Sequence, residues 1–439
     1  VKQKSRVEEF WKEYPERDPE YVRWYPPDFA PITPEAIWEP QDGENGTPQV
    51  AFYLHVPFCL SICKYCPFSK SVWSPERVAR YVQAQKAEIA LAGQLAYLKR
   101  APLAAGYLGG GTPTALTTAQ LADITSHLHD NFDIAAGAEM SIEANPDTVD
   151  GDNLLAIQRL GYNRISFGVQ SFDDALLTRI GRTHCADLAQ EVVTQALQMG
   201  FDNVGIDLIY GLPGQTIALW ERDLNQAAKL GVHQVTTFGL YLPPGTVLYR
   251  ETEAGKVGDY PDEAEKLAMY DLSQEILGAS GYEQYTAYDF ALPGKASLHH
   301  AINWQAPQGE YLGLGPGAFS HIHGHIFANV SSLDDYVTSV ERGKLPVSKG
   351  RAIPRQEAMS RFMVLGVKYL SVSKPAFYEH FGVALDDHFG PVLSQLETWG
   401  LIAQNAEQVW VTEKGKTYLG NVSKAFYTPE QKGKPQPRV

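Results

Sequence analysis

Between residues 51 and 241, short apolar runs alternate with longer amphipathic stretches. The runs are AFYLHV (51–56), GYLGG (106–110), EMSIEA (139–144), RISFGVQ (164–170), VGIDLIY (204–210) and VTTFGLY (235–241). Short runs of this kind between helical stretches predict strands. The stretches between them are mostly ten residues or longer and read as helices. Ser74-Pro75 opens the first, because serine caps free amides and proline suits a first helical turn. Alternation at this spacing predicts right-handed βαβ units and a parallel sheet. Six units are too few for an eightfold barrel, so the expected fold is α/β, a partial (β/α)6 barrel.

The pattern changes at both ends. Residues 1–45 are rich in Pro, Glu, Trp and Tyr without clean periodicity, and read as an extended N-terminal arm. The barrel and its extension are assigned to 46–345. After about 345 the sheet pattern stops. PRQEAMSRFMVLGVKYL and FGPVLSQLETWGLI read as amphipathic helices, and VWVTEKGKTYL as a short strand pair and turn. Residues 346–439 are therefore expected to form a C-terminal helical, winged-helix-like domain. Its tail, TPEQKGKPQPRV, has a disordered composition.

Composition narrows the function. The 439 residues, 44% hydrophobic, suffice for a large core and a smaller domain. A net charge of −14 repels phosphate backbones, so no nucleic-acid partner is expected, even for a winged domain. No apolar run approaches ~18 residues, so no membrane partner is expected. VKQKSRVEEFW lacks the apolar core of a signal peptide. Three of the four cysteines fall within eight positions, which suits reduced ligands better than disulfides. These features together predict a cytoplasmic protein.

The three are Cys59, Cys63 and Cys66, in YLHVPFCLSICKYCPF. Iron in clusters prefers thiolates, and a four-iron cluster normally takes four. C-x3-C-x2-C supplies three from one loop. The pattern predicts a [4Fe–4S] cluster with one iron open to the amino and carboxylate groups of S-adenosylmethionine (SAM). One electron would then cleave SAM into methionine and a 5′-deoxyadenosyl radical. The plainer alternatives are a zinc site, although zinc usually takes four closed ligands, or three unrelated buried cysteines. The loop follows the first strand, at the mouth where such sheets bind ligands.

Other chemistry gathers at that mouth. Gly109-Gly110-Gly111-Thr112-Pro113 ends the second strand and is assigned to the SAM amino group, since glycine lets backbone approach closely; a plain loop is the alternative. Glu143 ends the third strand, Gln170 ends the fourth, Arg182 follows it, and Asp207 lies within the fifth. Singly, each reads as a structural polar residue; together they ring one opening. His321, His323 and His325 alternate and read as a hairpin at Gly324 with solvated imidazoles, a metal site being the alternative. GLGPGA (313–318) reads as a tight turn at the substrate mouth.

YLHVPFCLSICKYCPF, YLGGGTPT, SIEANP, RISFGVQSF and IDLIYGLPGQT closely resemble the oxygen-independent coproporphyrinogen III oxidase-like group of radical SAM proteins. The resemblance is strong over about 46–330 and weaker in the C-terminal domain. It implies that Tyr53 and Tyr65 line the cluster and SAM pockets. It implies that Gly110, Gly111 and Thr112 contact SAM and that Glu143, Gln170, Arg182 and Asp207 hold it. Tyr-Pro arms like VRWYPP (22–27) reach the active site in some members. Tyr25 therefore joins Glu143 and Tyr65 as a candidate catalytic residue.

The group includes porphyrinogen decarboxylation, haem trafficking, anaerobic haem opening, and SAM-dependent C-methylation or cyclopropanation. Only Cys185 remains outside the motif, too few for a cysteine-shuttled methyl group or an auxiliary cluster. The haem motif of the trafficking branch, His-Asn-x-x-Tyr-Trp, is half matched by His299-His300-Ala-Ile-Asn303-Trp304, and that branch typically lacks the arm. The resemblance is accordingly read as nearest to the C-methyltransferase/cyclopropanase branch. Two SAM molecules are expected, the second donating one carbon to an sp2 carbon of a planar, aromatic small molecule. Tyr282, Tyr285 and Tyr288 would stack on it. An electron donor such as flavodoxin or ferredoxin is the expected protein partner. Haem binding, with His299 as a contact, and porphyrinogen decarboxylation stand as alternatives.

Overall fold

The computed structural model of the chain describes residues 24–38, 50–304 and 309–434. Six parallel strands follow one another in chain order: β1 (Val50–Val56), β2 (Leu103–Gly110), β3 (Ile134–Ala144), β4 (Arg164–Gln170), β5 (Asn203–Tyr210) and β6 (Gln234–Gly239). The predicted runs fall on these strands, the last ending two residues early. The first helix, Pro75–Gly93, starts as predicted, with the Ser74 hydroxyl accepting from the Arg77 amide. The next, Thr118–Asn131, is fixed by a capping box between Thr117 and Gln120.

The barrel stays open. Beyond β6 the sheet turns antiparallel through Asp289–Ala291. Beyond β1 a parallel strand, Glu310–Leu314, leads into antiparallel strands Phe319–Ile322, His325–Asn329 and Val347–Ala352. The pleat sorts side chains by face. Phe52, Leu54 and Val56 of β1 join the main core beneath the helices, while Ala51 lies in a separate cluster with Ala105, Tyr311 and Phe319. Register continues the inward row across strands. Tyr107 sits opposite Ser141, Ser141 opposite Arg164, Glu143 opposite Ser166, and Asp207 opposite Gly168 and Thr236. At the strand N-termini, Ile302 of the helix Leu298–Trp304 packs with Ala51 and Ala105.

The ends differ from expectation. Val347–Ala352 extends the large sheet past residue 345, because VSKGRA forms an edge ladder without needing an apolar run. Within the arm, Ala30–Pro31 pairs with that strand and Pro34–Trp38 is helical. Residues 1–23 of the arm lie outside the described residues. A second core unites Tyr25 with Phe362, Phe377, Leu393, Ile402 and Val422. The wing is Ile402–Gln404 against Gln408–Val411, but the following residues turn helical over Glu413–Thr417, capped by the Thr412 hydroxyl. Thr428–Lys434 of the tail are not loose. Polar bonds anchor them where apolar content is low: Gln431 donates to Glu357 at 2.8 Å and Lys434 to Asp28 at 2.9 Å. Among the described residues no helix is long and apolar enough to cross a membrane.

Candidate functional site

The cysteine loop is built as a rigid collar. Phe58–Cys59 pairs in parallel with Ser71–Val72, so both ends of the loop share one short ladder. The amide of Lys64 donates to Ile180 at 3.0 Å, and its carbonyl accepts from Leu248 at 2.8 Å, so the middle is pinned as well. His55 accepts or donates at both ring nitrogens, to the Tyr53 hydroxyl at 3.1 Å and the Ser69 carbonyl at 3.1 Å. Burial drives its pKa down to about 4, so the ring stays neutral.

The glycines serve this collar directly. A Cβ at Gly111 would lie 2.7 Å from the Phe58 carbonyl oxygen, and one at Gly110, where φ is +114°, 2.6 Å from the His55 ring. The expected close approach is therefore first an approach to the cysteine loop itself. The Thr112 amide donates to the Phe58 carbonyl at 2.7 Å.

All three thiols face this region with donors beside them. Arg182 donates to the Cys63 sulfur at 3.4 Å. Lys70 donates to the Cys66 carbonyl at 2.6 Å and the Phe68 carbonyl at 2.9 Å. Burial raises Cys59 to about 11, against a lowering hydrogen bond from Thr112, and also raises Cys66. Thiols held protonated by burial give up their protons to a bound metal. Three soft donors on one collar, with cationic side chains beside them, fit three corners of a larger iron–sulfur cluster.

Below the collar, Tyr53, Tyr107, Glu143, Asn145, Arg182 and Asp207 all keep partial solvent access although they sit deep among buried neighbours. They line an open well. Glu143 accepts from the Tyr107 hydroxyl at 2.9 Å and from the Gly110 amide at 3.1 Å. Its pKa is raised, chiefly by burial, and those two donors and Arg164 oppose the rise. Arg182 also donates to Asn145 at 2.9 Å and to the Gly168 carbonyl, leaving its Nε unpartnered. Glu143 and Arg182 thus spend their bonds on other groups, and no bond joins them. Asp207 is pushed up to about 7 by burial, then by the nearby Glu143 and Asp289 carboxylates. Gln170 takes a left-handed φ of 71° where β4 bulges, a strained conformation for a non-glycine residue. Tyr65 is half-buried beside Arg182, Cys63 and Cys66, the charges that act on its hydroxyl after burial.

Sequence reasoning missed His55, Tyr107, Asn145 and Arg164. Tyr107 and Arg164 carried a signal, being polar positions on strands that are otherwise apolar. Other expected residues divide between the two cores, the hairpin and the edge of the well, where His299 meets Tyr107 at 5.0 Å. Tyr25 is fully buried in the C-terminal core, where its hydroxyl accepts from the Thr428 amide at 3.0 Å and its ring meets Tyr427 at 4.8 Å. Tyr282 is spent on packing, donating to the Val232 carbonyl at 2.6 Å. Tyr285 meets Tyr369 at 5.6 Å, and Tyr288 meets Phe238 at 6.0 Å. The histidine hairpin exists, turning at His323 and Gly324, but its imidazoles are buried. His321, His323 and His325 each pair through Nδ1 with a backbone carbonyl. His299 is buried too, its ring nitrogens 3.2 and 3.4 Å from the Asn303 amide nitrogen, whereas His300 is part-exposed, stacks on Trp304 at 4.9 Å and leaves Nδ1 without a hydrogen bond.

Comparison with known proteins gives two family models. The radical SAM superfamily matches residues 53–227, and the HemN C-terminal domain matches residues 353–417. The chain is 33% identical over 376 residues to the heme chaperone HemW of Bacillus subtilis, covering 85% of this chain and 98% of that one. It is 28% identical over 401 residues to the oxygen-independent coproporphyrinogen III oxidase of Synechocystis, covering 86% and 85%. The solved structure of coproporphyrinogen III oxidase (HemN) from Escherichia coli superposes with a TM-score of 0.77 at 25% identity, over 87% of this chain and 91% of that one.

Proposed function

Because the chain belongs to the HemN-like family of radical SAM proteins, we propose that it is a haem-trafficking member, holding haem alongside a [4Fe–4S] cluster and SAM. The observation that carries this reading is the match to a named heme chaperone across 98% of that chaperone's length. Nothing among the comparisons favours the C-methyltransferase or cyclopropanase branch. The second SAM expected from that branch has no support either.

In this reading Cys59, Cys63 and Cys66 hold the cluster. The bound cluster and SAM supply one-electron cleavage of a C–S bond. The chain's own residues bind and orient. Arg182 keeps partial solvent access, and its planar guanidinium suits a carboxylate. Glu143 and Asp207 offer acceptors to an ammonium or ribose. Asn145 and the Gly168 carbonyl fix the arginine's direction.

For haem, His299 is replaced as the contact by His300. A haem iron needs a neutral imidazole nitrogen, and burial lowers both histidines' pKa values. His300 keeps partial solvent access and stacks on Trp304, whereas His299 is buried with both ring nitrogens beside the Asn303 amide. Titrating haem into the protein and following the Soret band tests the proposal. A saturable shift, weakened in His300→Ala and retained in His299→Ala, is expected. The absence of any shift removes haem trafficking. Porphyrinogen decarboxylation is the second reading, supported by the superposition on HemN, and CO2 release from coproporphyrinogen III would establish it.

A further inference from the structure

The cluster needs an electron from outside its own motif, and Cys185 is the only other cysteine, too few for a second cluster. The outer face of the cysteine collar is where it would enter. Leu60, Ile62, Phe68 and Val72 are 52%, 40%, 42% and 54% exposed, and all four lie on this one loop. These apolar side chains are exposed within thirteen consecutive residues, whereas scattered exposed apolar residues are ordinary. Val72 is the ladder partner of Cys59, so its exposed side chain lies one strand spacing, about 4.8 Å, from a cluster ligand.

The charge here opposes that of the chain. From Phe58 to Tyr81 the basic residues are Lys64, Lys70, Arg77 and Arg80, against the single acid Glu76, in a protein of net charge −14. Lys64 is paired with Glu251, and Arg80 lies within 4.0 Å of Asp334. Lys70 donates to the backbone carbonyls of Cys66 and Phe68, and Arg77 is exposed with no carboxylate bonded to it among the described residues. A local excess of basic side chains on an acidic molecule steers an acidic partner to this face.

We propose that this face, centred on Val72 with Lys70 and Arg77 at its rim, is the docking surface for a small acidic one-electron carrier protein. One electron leaves the reduced carrier, which is oxidised by one equivalent, and enters the cluster, which is reduced by one; no proton or group moves. The inference rests on the cluster assignment. It does not depend on haem.

The test uses anaerobically reconstituted full chain and flavodoxin hydroquinone as the probe. Stopped-flow bleaching of the cluster absorbance reports electron entry without requiring SAM turnover, and surface plasmon resonance with oxidised flavodoxin reports binding. Val72→Asp and Arg77→Glu are each expected to slow bleaching and weaken binding about tenfold at low salt. Reduction by dithionite should be unchanged in Arg77→Glu, and added salt should erase the wild type's advantage. Arg77→Glu lies on an exposed helical face and carries the test alone if Val72→Asp does not fold. Equal rates in wild type and variants, or equal slowing with dithionite, overturn the docking surface alone. So does binding to mixed phosphatidylcholine–phosphatidylglycerol vesicles that the substitutions abolish while flavodoxin rates stay the same. A protein that never acquires the cluster chromophore overturns the cluster assignment along with it.

Discussion

The guanidinium of Arg182 touches the sulfur of Cys63 at 3.4 Å and, through its other nitrogen, Asn145 at 2.9 Å. One side chain therefore joins the cysteine collar to the wall of the well. Replacing it removes the donors to Cys63, Asn145 and the Gly168 carbonyl together.

Arg182→Ala should lower SAM affinity about ten- to hundredfold, since a hydrogen bond to a charged group is worth ~1.5–3 kcal/mol. Iron content should stay near that of the wild type because the three thiols remain. Arg182→Lys should recover little, as a point charge cannot replace a fork that serves three acceptors. Calorimetric SAM titration with iron analysis on the same samples checks this. Unchanged SAM affinity in Arg182→Ala, with only a lower melting temperature, would leave the residue a structural strut.

Asp207 predicts a pH dependence. Its carboxyl is raised from 3.8 to about 7 in the folded protein, so the folded state keeps a proton that the unfolded state has lost. Stability from this group is present in full below pH 3.8 and falls as pH rises toward about 7, by at most about 1.4 kcal/mol per unit. Asp207→Asn should flatten the stability curve through that window and raise the melting temperature at pH 8, while weakening SAM binding. Denaturant unfolding across pH on both proteins measures it. A curve of unchanged slope would show that the acid titrates normally.

Gly111→Ala should damage the collar. The added methyl would meet the Phe58 backbone at 2.7 Å, and overpacking of this kind costs about 1–3 kcal/mol. Phe58 adjoins Cys59, so iron incorporation should fall while the circular dichroism of the barrel is kept. Full iron content in this variant would mean that the strand pair moves aside without cost.

Tyr25→Phe separates the two places a tyrosine of the arm could act. It deletes the hydroxyl that accepts from the Thr428 amide and donates to the Thr428 hydroxyl. A loss of about 1 kcal/mol in stability is expected, with SAM cleavage unaffected. Loss of 5′-deoxyadenosine formation at normal stability would return Tyr25 to the site.

The barrel was legible because its strands keep an unbroken apolar face toward the helices, and such short runs stand out against amphipathic helices. The three cysteines and the glycine turn were legible because their spacing is local. Arg182 and Glu143 could be placed at one mouth, but not their partners. Tyr107 is thirty-six positions from Glu143, and only the register of adjacent strands brings them together. Tyr25 misled for the opposite reason. A Tyr-Pro dipeptide before the first strand says nothing of which core it enters, and here a contact 403 positions away decides it. His321, His323 and His325 looked exposed because alternation around a glycine is also how a solvated hairpin reads.

That 403-residue contact also sets an order of assembly. The strands that carry the collar and the well, β1 to β5, span residues 50 to 210 and pair with their immediate neighbours in sequence. Thr428 lies 218 residues beyond the last of them. The seat for Tyr25 exists only once Thr428 has been made. During synthesis the segment at 24–28 must therefore wait unseated while the catalytic half closes beside it, and a chain cut short before 428 would leave Tyr25 without its hydroxyl partner.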